Sequence, residues 1–262
     1  MSSKAKVALV TGASKGVGRG IALGLAEDAS DGGWDVVVNY NADREGAEET
    51  AAAIRGRGRQ AWVVKGDVGY ADQVRAMFAE LDRAAGQIDL LVNNAGVQTW
   101  SSLMNLKEED FDRTIRTNLK GCFLCTQEAA RRMIDRKQGG VIINIGSGAN
   151  KLPFPNLVDY NASKGGIDNL TLVTAVELGP HKIRVNCVAP GAIEIERTKL
   201  EAGDYAGTWA PLTPLRRVGN PRDVAHAVVY LASPRAEFIT AQTLYVDGGL
   251  MSQGPWPYQG DA

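Results

Sequence analysis

Reactive and metal-binding side chains are scarce in this sequence: 262 residues carry three cysteines and two histidines. Cys122, Cys125 and Cys187 are too few and too odd in number for a disulfide framework, which suits a reducing compartment. Cys122 and Cys125 form a C-x-x-C, a spacing that can mark a redox pair or half a zinc site. They lie in GCFLCTQEAARRMI, a helix-like stretch where cysteine packs as a small apolar residue, and His181 and His226 complete no second ligand pair. No metal is expected. Long apolar runs are also missing: no stretch reaches the 18 or so residues of a membrane span, and MSSKAKVALVTG lacks the apolar core and cleavage site of a signal peptide. A cytoplasmic protein without a membrane partner is expected. Neither charge sign dominates, the formal net charge being -1, so nothing marks a nucleic-acid partner and a small molecule is the expected ligand. No Pro/Ser linker interrupts the first 190 residues, so 1–262 reads as one domain.

What is present is alternation. The apolar runs VALVTG, WDVVVNY, AWVVKGDV, DLLVNNAG, GVIINIGS, IRVNCVAPG and TLYVDGG are separated by helix-like intervals. This predicts an α/β fold, a doubly wound parallel sheet of about seven strands with helices on both faces. The stretch 108–137 reads as one long helix. Segment 192–215 breaks the alternation with two prolines and two glycines; its place after the sixth strand predicts a substrate lid.

Between the first strand and its helix stand Gly12, Ser14, Lys15, Gly16, Val17 and Gly18. A glycine-rich turn there lets backbone N–H groups and the helix dipole meet a pyrophosphate. The second strand ends at Asn39-Tyr40, without the Asp or Glu that accepts from an unphosphorylated ribose. Further along, Tyr160 and Lys164 are four apart, on one helix face. Free tyrosine, with a pKa of about 10, is a poor base near neutrality, and a close ammonium stabilises its phenolate. Ser147 ends the fifth strand thirteen residues earlier, a separation that a strand end followed by a helix can close.

This ordered set resembles the short-chain dehydrogenase/reductase family over nearly the whole chain. The resemblance implies a Rossmann-type fold and hydride transfer between a nicotinamide and an alcohol or carbonyl, with Tyr160 as general acid or base and Ser147 holding the substrate oxygen. Lys164 then lowers the tyrosine pKa and binds the ribose, and the Asn118 backbone carbonyl orders a water linking Lys164 to solvent. It further implies that Gly12, Gly16 and Gly18 line the phosphates, with Val17 counted among the contacts. Asp67 accepts from the adenine amino group, with Val68 beside it; Asn93-Asn94-Ala95-Gly96 matches the NNAG turn, where Asn94 holds the sheet edge and Asn94, Ala95 and Gly96 line the cofactor; and Pro190, Gly191 and Ile193 meet the carboxamide. Lys15 matches the basic position that favours a 2′-phosphate and Ser14 adds a hydrogen bond, so NADP(H) is preferred and NAD(H) is the alternative. Arg44 reads as a solvated charge.

One departure stands out. Many members carry threonine where this chain has Ile195; either Thr198 compensates or one carboxamide bond is missing. The loops Gln98-Thr99-Trp100, 148–159 and 192–215 are expected to meet the substrate, with Trp100, Glu194, Glu196 and Trp209 as candidates for a polar, stacking pocket. ANKLPFPNLVDY is similar to bacterial glucose 1-dehydrogenases, and the remainder to 3-oxoacyl-carrier-protein reductases and carbonyl reductases. A catalytically silent nucleotide-binding protein would not need Ser147, Tyr160 and Lys164 together, and an epimerase or dehydratase of the extended relatives would need a larger substrate domain. A homotetramer is expected by resemblance, with the tail that carries Trp256 and Tyr258 either packing on a neighbour or left disordered.

Overall fold

The computed structural model describes residues 5–28 and 33–253; Trp256 and Tyr258 lie outside the described residues. Strands and helices alternate as β1 (Lys6–Val10), α1 (Gly16–Glu27), β2 (Trp34–Tyr40), α2 (Arg44–Arg55), β3 (Ala61–Lys65), α3 (Ala71–Ala84) and β4 (Leu90–Asn93). There follow α4 (Glu108–Thr114), a π-helical turn (Ile115–Lys120), α5 (Gly121–Arg136), β5 (Gly140–Ile145), α6 (Val158–Leu178) and β6 (Ile183–Pro190). The chain continues through α7 (Glu196–Ala202), α8 (Tyr205–Trp209), α9 (Pro221–Ala232) and β7 (Thr243–Val246). All seven strands are parallel, in the order β3-β2-β1-β4-β5-β6-β7.

Period-two alternation sends successive strand residues to opposite faces, each of which builds its own core. Val10, Val38, Val92 and Ile143 face Ile21 and Leu25 of α1 and Val224 and Val228 of α9. Leu9, Val37, Leu91 and Ile142 face Met77, Phe78 and Leu81 of α3 and Met133 of α5. In α3 the buried residues Val74, Met77, Phe78 and Leu81 follow the i, i+3, i+4, i+7 spacing of a single helix face. Side-chain caps fix helix starts: Asp43 accepts from Gly46 N at 3.0 Å before α2, and Asn220 accepts from Arg222 N at 2.9 Å before α9.

The strand order reverses between β1 and β4, opening a crevice at their carboxyl ends, where doubly wound sheets bind ligands. The stretch expected as one helix is interrupted by the π turn at 115–120, which holds Asn118. One turn of π and one turn of α helix carry the same apolar pattern, so periodicity does not separate them. No helix among the described residues is long and apolar enough to cross a membrane.

Candidate functional site

The glycine turn is built by steric necessity. Gly12 has φ +61°, and a Cβ there would lie 2.9 Å from Ala95 Cα; at Gly18 it would lie 2.4 Å from both Asn94 Nδ2 and Gly12 O. Asn94 Nδ2 donates to Thr11 O and Gly12 O at 2.9 and 3.1 Å, and the Thr11 hydroxyl accepts from Asn94 N and Ala95 N. The NNAG turn is thereby laced to the glycine turn across the β1–β4 crevice. α1 starts with no acidic residue in its first turn and no side-chain cap, so its dipole and free amides face the crevice unopposed. A turn in which a side chain would collide, ending at a bare helix N-terminus, fits a dinucleotide pyrophosphate.

At the ribose end, Asn39 works inside the protein. Its Oδ1 accepts from Gly12 N at 3.1 Å and its Nδ2 donates to Gly66 O at 3.1 Å, while the Tyr40 side chain is buried against the core. These residues shape the site with their backbone. Ser14 is buried, whereas the Lys15 side chain is 70% exposed and its Nζ lies 3.8 Å from Asp43 Oδ2. Asp43 is a carboxylate that inspection of the β2 end alone overlooks; its cap position before α2 folds it back beside Lys15. Arg44 is exposed, 4.0 Å from Glu48. Asp67 accepts from Gly69 N at 2.9 Å and from Asn41 Nδ2 at 3.1 Å, so it shapes its own turn, with Val68 buried next to it.

The other half of the site gathers where β5 ends. Lys164, buried on α6, donates from Nζ to Ile145 O at 2.7 Å, which draws α6 against the strand end two residues before Ser147. Its ammonium is 5.4 Å from the centroid of the Tyr160 ring. Ser147 Oγ accepts from Ala149 N at 3.2 Å, which leaves its proton for an outside acceptor. Asn118 faces Val97: its Oδ1 accepts from Val97 N and its Nδ2 donates to Val97 O, both at 2.8 Å, and Nδ2 also donates to Ser163 Oγ at 3.0 Å. A cavity of about 10 Å³ lies among Thr11, Asn93, Asn118, Cys122 and Ile145.

Behind this corner runs a buried polar network. Asn93 Nδ2 donates to Asn144 Oδ1 at 2.9 Å and to Thr126 Oγ1 at 3.0 Å; Asn144 Nδ2 donates to Thr171 Oγ1 at 2.9 Å; and Cys122 Sγ donates to Asn144 Oδ1 at 3.2 Å. All three cysteines are buried as free thiols, and burial pushes Cys122 up to about 12 and Cys187 to about 11. Cys125 is raised by burial as well. The C-x-x-C is thus packed inside α5 as protonated thiols, which are poor nucleophiles and poor metal ligands.

Segment 192–215 leaves β6 through Pro190 and Gly191, whose N–H donates to Val246 O at 3.0 Å, and is pinned at Ile193, paired with Gly219. The Ile195 side chain covers Gly16, 3.5 Å from where a Cβ would sit. The Thr198 hydroxyl accepts from Ile195 N and donates to Ile195 O, both at 2.9 Å, so its one proton serves the start of α7. Trp209 packs edge-on to Phe154 at 6.1 Å between centroids and beside Tyr205 at 6.2 Å. Tyr205 lies within electrostatic reach of Tyr160 and beside the Ile193 backbone, and burial pushes its hydroxyl up to about 12. Of the expected pocket residues, Trp209 joins this aromatic wall; Glu194 pairs with Lys199 at 3.1 Å, and Glu196 and Trp100 are exposed. Tyr205 carried no signal in the sequence beyond its place in the segment.

Comparison with known proteins agrees with this arrangement. Residues 16–251 match the family model described as enoyl-(acyl carrier protein) reductase. The chain is 41% identical over 245 residues to a 3-oxoacyl-(acyl-carrier-protein) reductase of Staphylococcus aureus, covering 94% of this chain and 98% of the relative. Among solved structures, an acetoin dehydrogenase from Salmonella typhimurium superposes with TM-score 0.88 at 35% identity, covering 98% of this chain and 99% of that one. A gluconate 5-dehydrogenase from Burkholderia cenocepacia, in complex with NADP and tartrate, superposes with TM-score 0.87 at 35% identity, covering 95% and 96%.

Proposed function

Since this chain belongs to the short-chain dehydrogenase/reductase family and is an oxidoreductase of alcohol and carbonyl groups, we propose that it uses NADP(H) and that Tyr160 carries the proton. The observation that carries this reading is the Lys164–Ile145 bond of 2.7 Å, which brings Ser147, Tyr160 and Lys164 to one strand end. The glycine turn from Gly12 to Gly18, the Asp67–Val68 and Asn94–Gly96 backbones and the Pro190–Ile193 segment would hold the nucleotide. When bound, the nicotinamide supplies or accepts the hydride. The chain's residues do the rest: Ser147 donates to the substrate oxygen, and Tyr160 gives that oxygen its proton in reduction or removes it in oxidation. The Lys164 ammonium beside the ring stabilises the phenolate left behind. The cavity beside Asn118 is of the size that holds one water, which supports a water site at this asparagine.

Lys15 and Ser14 support NADP(H), with Asp43 tempering the preference. The substrate is a compact carbonyl or alcohol of the 3-oxoacyl or simple ketone type. A hydroxylated, sugar-like substrate is the second reading, favoured by the Phe154–Trp209 wall, since an aromatic face beside polar groups suits a stacked sugar ring. A dimer of dimers is supported by large apolar side chains left exposed on two parts of the chain, Phe123 on α5 with Leu172, Val173 and Val176 on α6, and Phe238 before β7 with Leu244 on it. Nucleotide absorbance with both cofactors, followed over 3-oxoacyl thioesters, hydroxyketones and aldoses, tests the reading. Tyr160→Phe is expected to lose about 100- to 10,000-fold in kcat, and a variant that kept half of its turnover would falsify the role of Tyr160.

A further inference from the structure

Asp159, the residue before Tyr160, is completely buried, and so is Thr114 at the end of α4. Thr114 Oγ1 donates to Asp159 Oδ2 at 2.6 Å, and Tyr160 N donates to Asp159 Oδ1 at 2.7 Å. Burying a carboxylate costs several kcal/mol unless both oxygens find donors. An aspartate that only assisted the start of α6 would do so equally well in solvent, because the helix dipole and the free first-turn amides are available at the surface. This one is enclosed and tied to a second helix.

A parallel tie runs four residues further on. Ser163 Oγ donates to Tyr160 O at 2.8 Å and accepts from Asn118 Nδ2 at 3.0 Å. Thr114 and Asn118 are four apart on one helix, and Asp159 and Ser163 are four apart on the other, so two buried rungs join the helices in register. Between the rungs the backbone of Tyr160 is held at both ends, its N–H by Asp159 and its carbonyl by Ser163. Rotation or sliding of α6 breaks a hydrogen bond that no water can replace.

We propose that Asp159 is a positioning residue for Tyr160, acting through Thr114 to fix the angle at which α6 presents the phenol to the substrate oxygen. The inference rests on the reading of Tyr160 as proton carrier. A rotation of about 10° at the backbone moves an oxygen about 6.5 Å away by about 1 Å, a misplacement that costs about 100-fold in rate.

The test compares variants well below the melting temperature of each. Thr114→Val keeps the shape and removes the donor; Asp159→Ala removes both contacts. Both are expected to lower kcat about 10- to 100-fold, with the nicotinamide dissociation constant changed less than kcat, because the glycine turn is untouched and Lys164 is the nucleotide contact that rides on α6. Thr114→Ser restores the hydroxyl and is expected to recover most of the turnover. The double variant is expected to turn over no more slowly than Asp159→Ala alone, as coupled partners require. In Asp159→Asn, Oδ1 still accepts from Tyr160 N and the Thr114 hydroxyl reverses to accept, so this variant is expected to exceed Asp159→Ala, by up to about tenfold. That ordering decides the matter should Thr114→Val fail to fold. A lowered Tm with wild-type kcat in Thr114→Val, a Thr114→Ser that behaves like valine, or strictly additive losses would overturn the proposal. Tyr160→Phe measured alongside separates the two ideas: if it retains turnover the role of Tyr160 fails, and if it is inactive while Asp159→Ala runs at full rate only the positioning role fails.

Discussion

The two walls of the cleft are built on opposite principles. Behind Tyr160, polar side chains from β4, β5, α4, α5 and α6 are buried and bonded to one another: Asn93, Thr126, Asn144, Thr171, Thr114 and Asp159. Across from it, segment 192–215 runs through two helices of 7 and 5 residues, with Leu200, Leu212 and Leu215 exposed, and joins the opposite wall through ring contacts. Directional bonds in a dry interior have few alternative arrangements, whereas apolar edges slide at small cost. The first wall is held rigidly. The second is held loosely.

The largest way to break this contrast is Asn144→Leu. The substitution keeps the approximate volume and deprives Asn93, Thr171 and Cys122 of their shared partner. Leaving such groups unpaired is expected to cost about 2–4 kcal/mol, which for a chain of this size lowers Tm by about 5–15 °C in calorimetry. A shift below 2 °C would mean that this wall is held by packing alone, like the other.

The cofactor end is intermediate, with a rigid turn carrying an exposed charge. Lys15→Glu is expected to reduce kcat/KM with NADPH by about 10- to 100-fold, the worth of one charge-assisted contact, while NADH changes little. Asp43→Asn, which frees Lys15 from its partner at 3.8 Å, shifts the ratio a few-fold the other way. Steady-state kinetics with both nucleotides decides; equal losses with both would show that Lys15 supports the turn and does not read the 2′-phosphate.

The same contrast decides what could be read in advance. The strands are legible because short Val, Ile and Leu runs of the β1, β2 and β5 kind suit a sheet buried on both faces and alternate regularly with helix-like intervals. Tyr160, Lys164 and the glycine turn were visible because rigid elements fix their sequence spacing. Thr114 and Asp159 were not, being 45 residues apart and each an ordinary helix-end residue until the fold encloses them. Asp43 was missed for a related reason: a cap residue points back along the chain, beyond what strand-end inspection reaches. Tyr205 and Trp209 are four apart on α8, but Phe154 meets Trp209 only through loop conformation, which sequence periodicity does not encode.

The smallest expected effect belongs to the adaptable wall and tests it most directly. Tyr205 sits near Tyr160, and its hydroxyl is pushed up to about 12, chiefly by burial, so it stays a neutral donor across the neutral and mildly alkaline range. If it touches only the substrate, Tyr205→Phe removes one neutral hydrogen bond, about 0.5–1.5 kcal/mol or roughly 2- to 12-fold in KM. kcat and Tm should hardly move, and the KM ratio of variant to wild type should stay constant from pH 6 to 10, because the deleted group does not titrate in that window. A fall in kcat equal to the rise in KM, or a ratio that collapses as pH rises, would place the Tyr205 proton in the reaction itself. The aromatic wall would then belong with the bonded side of the cleft, and the contrast between the two walls would not hold at the point where they meet the substrate.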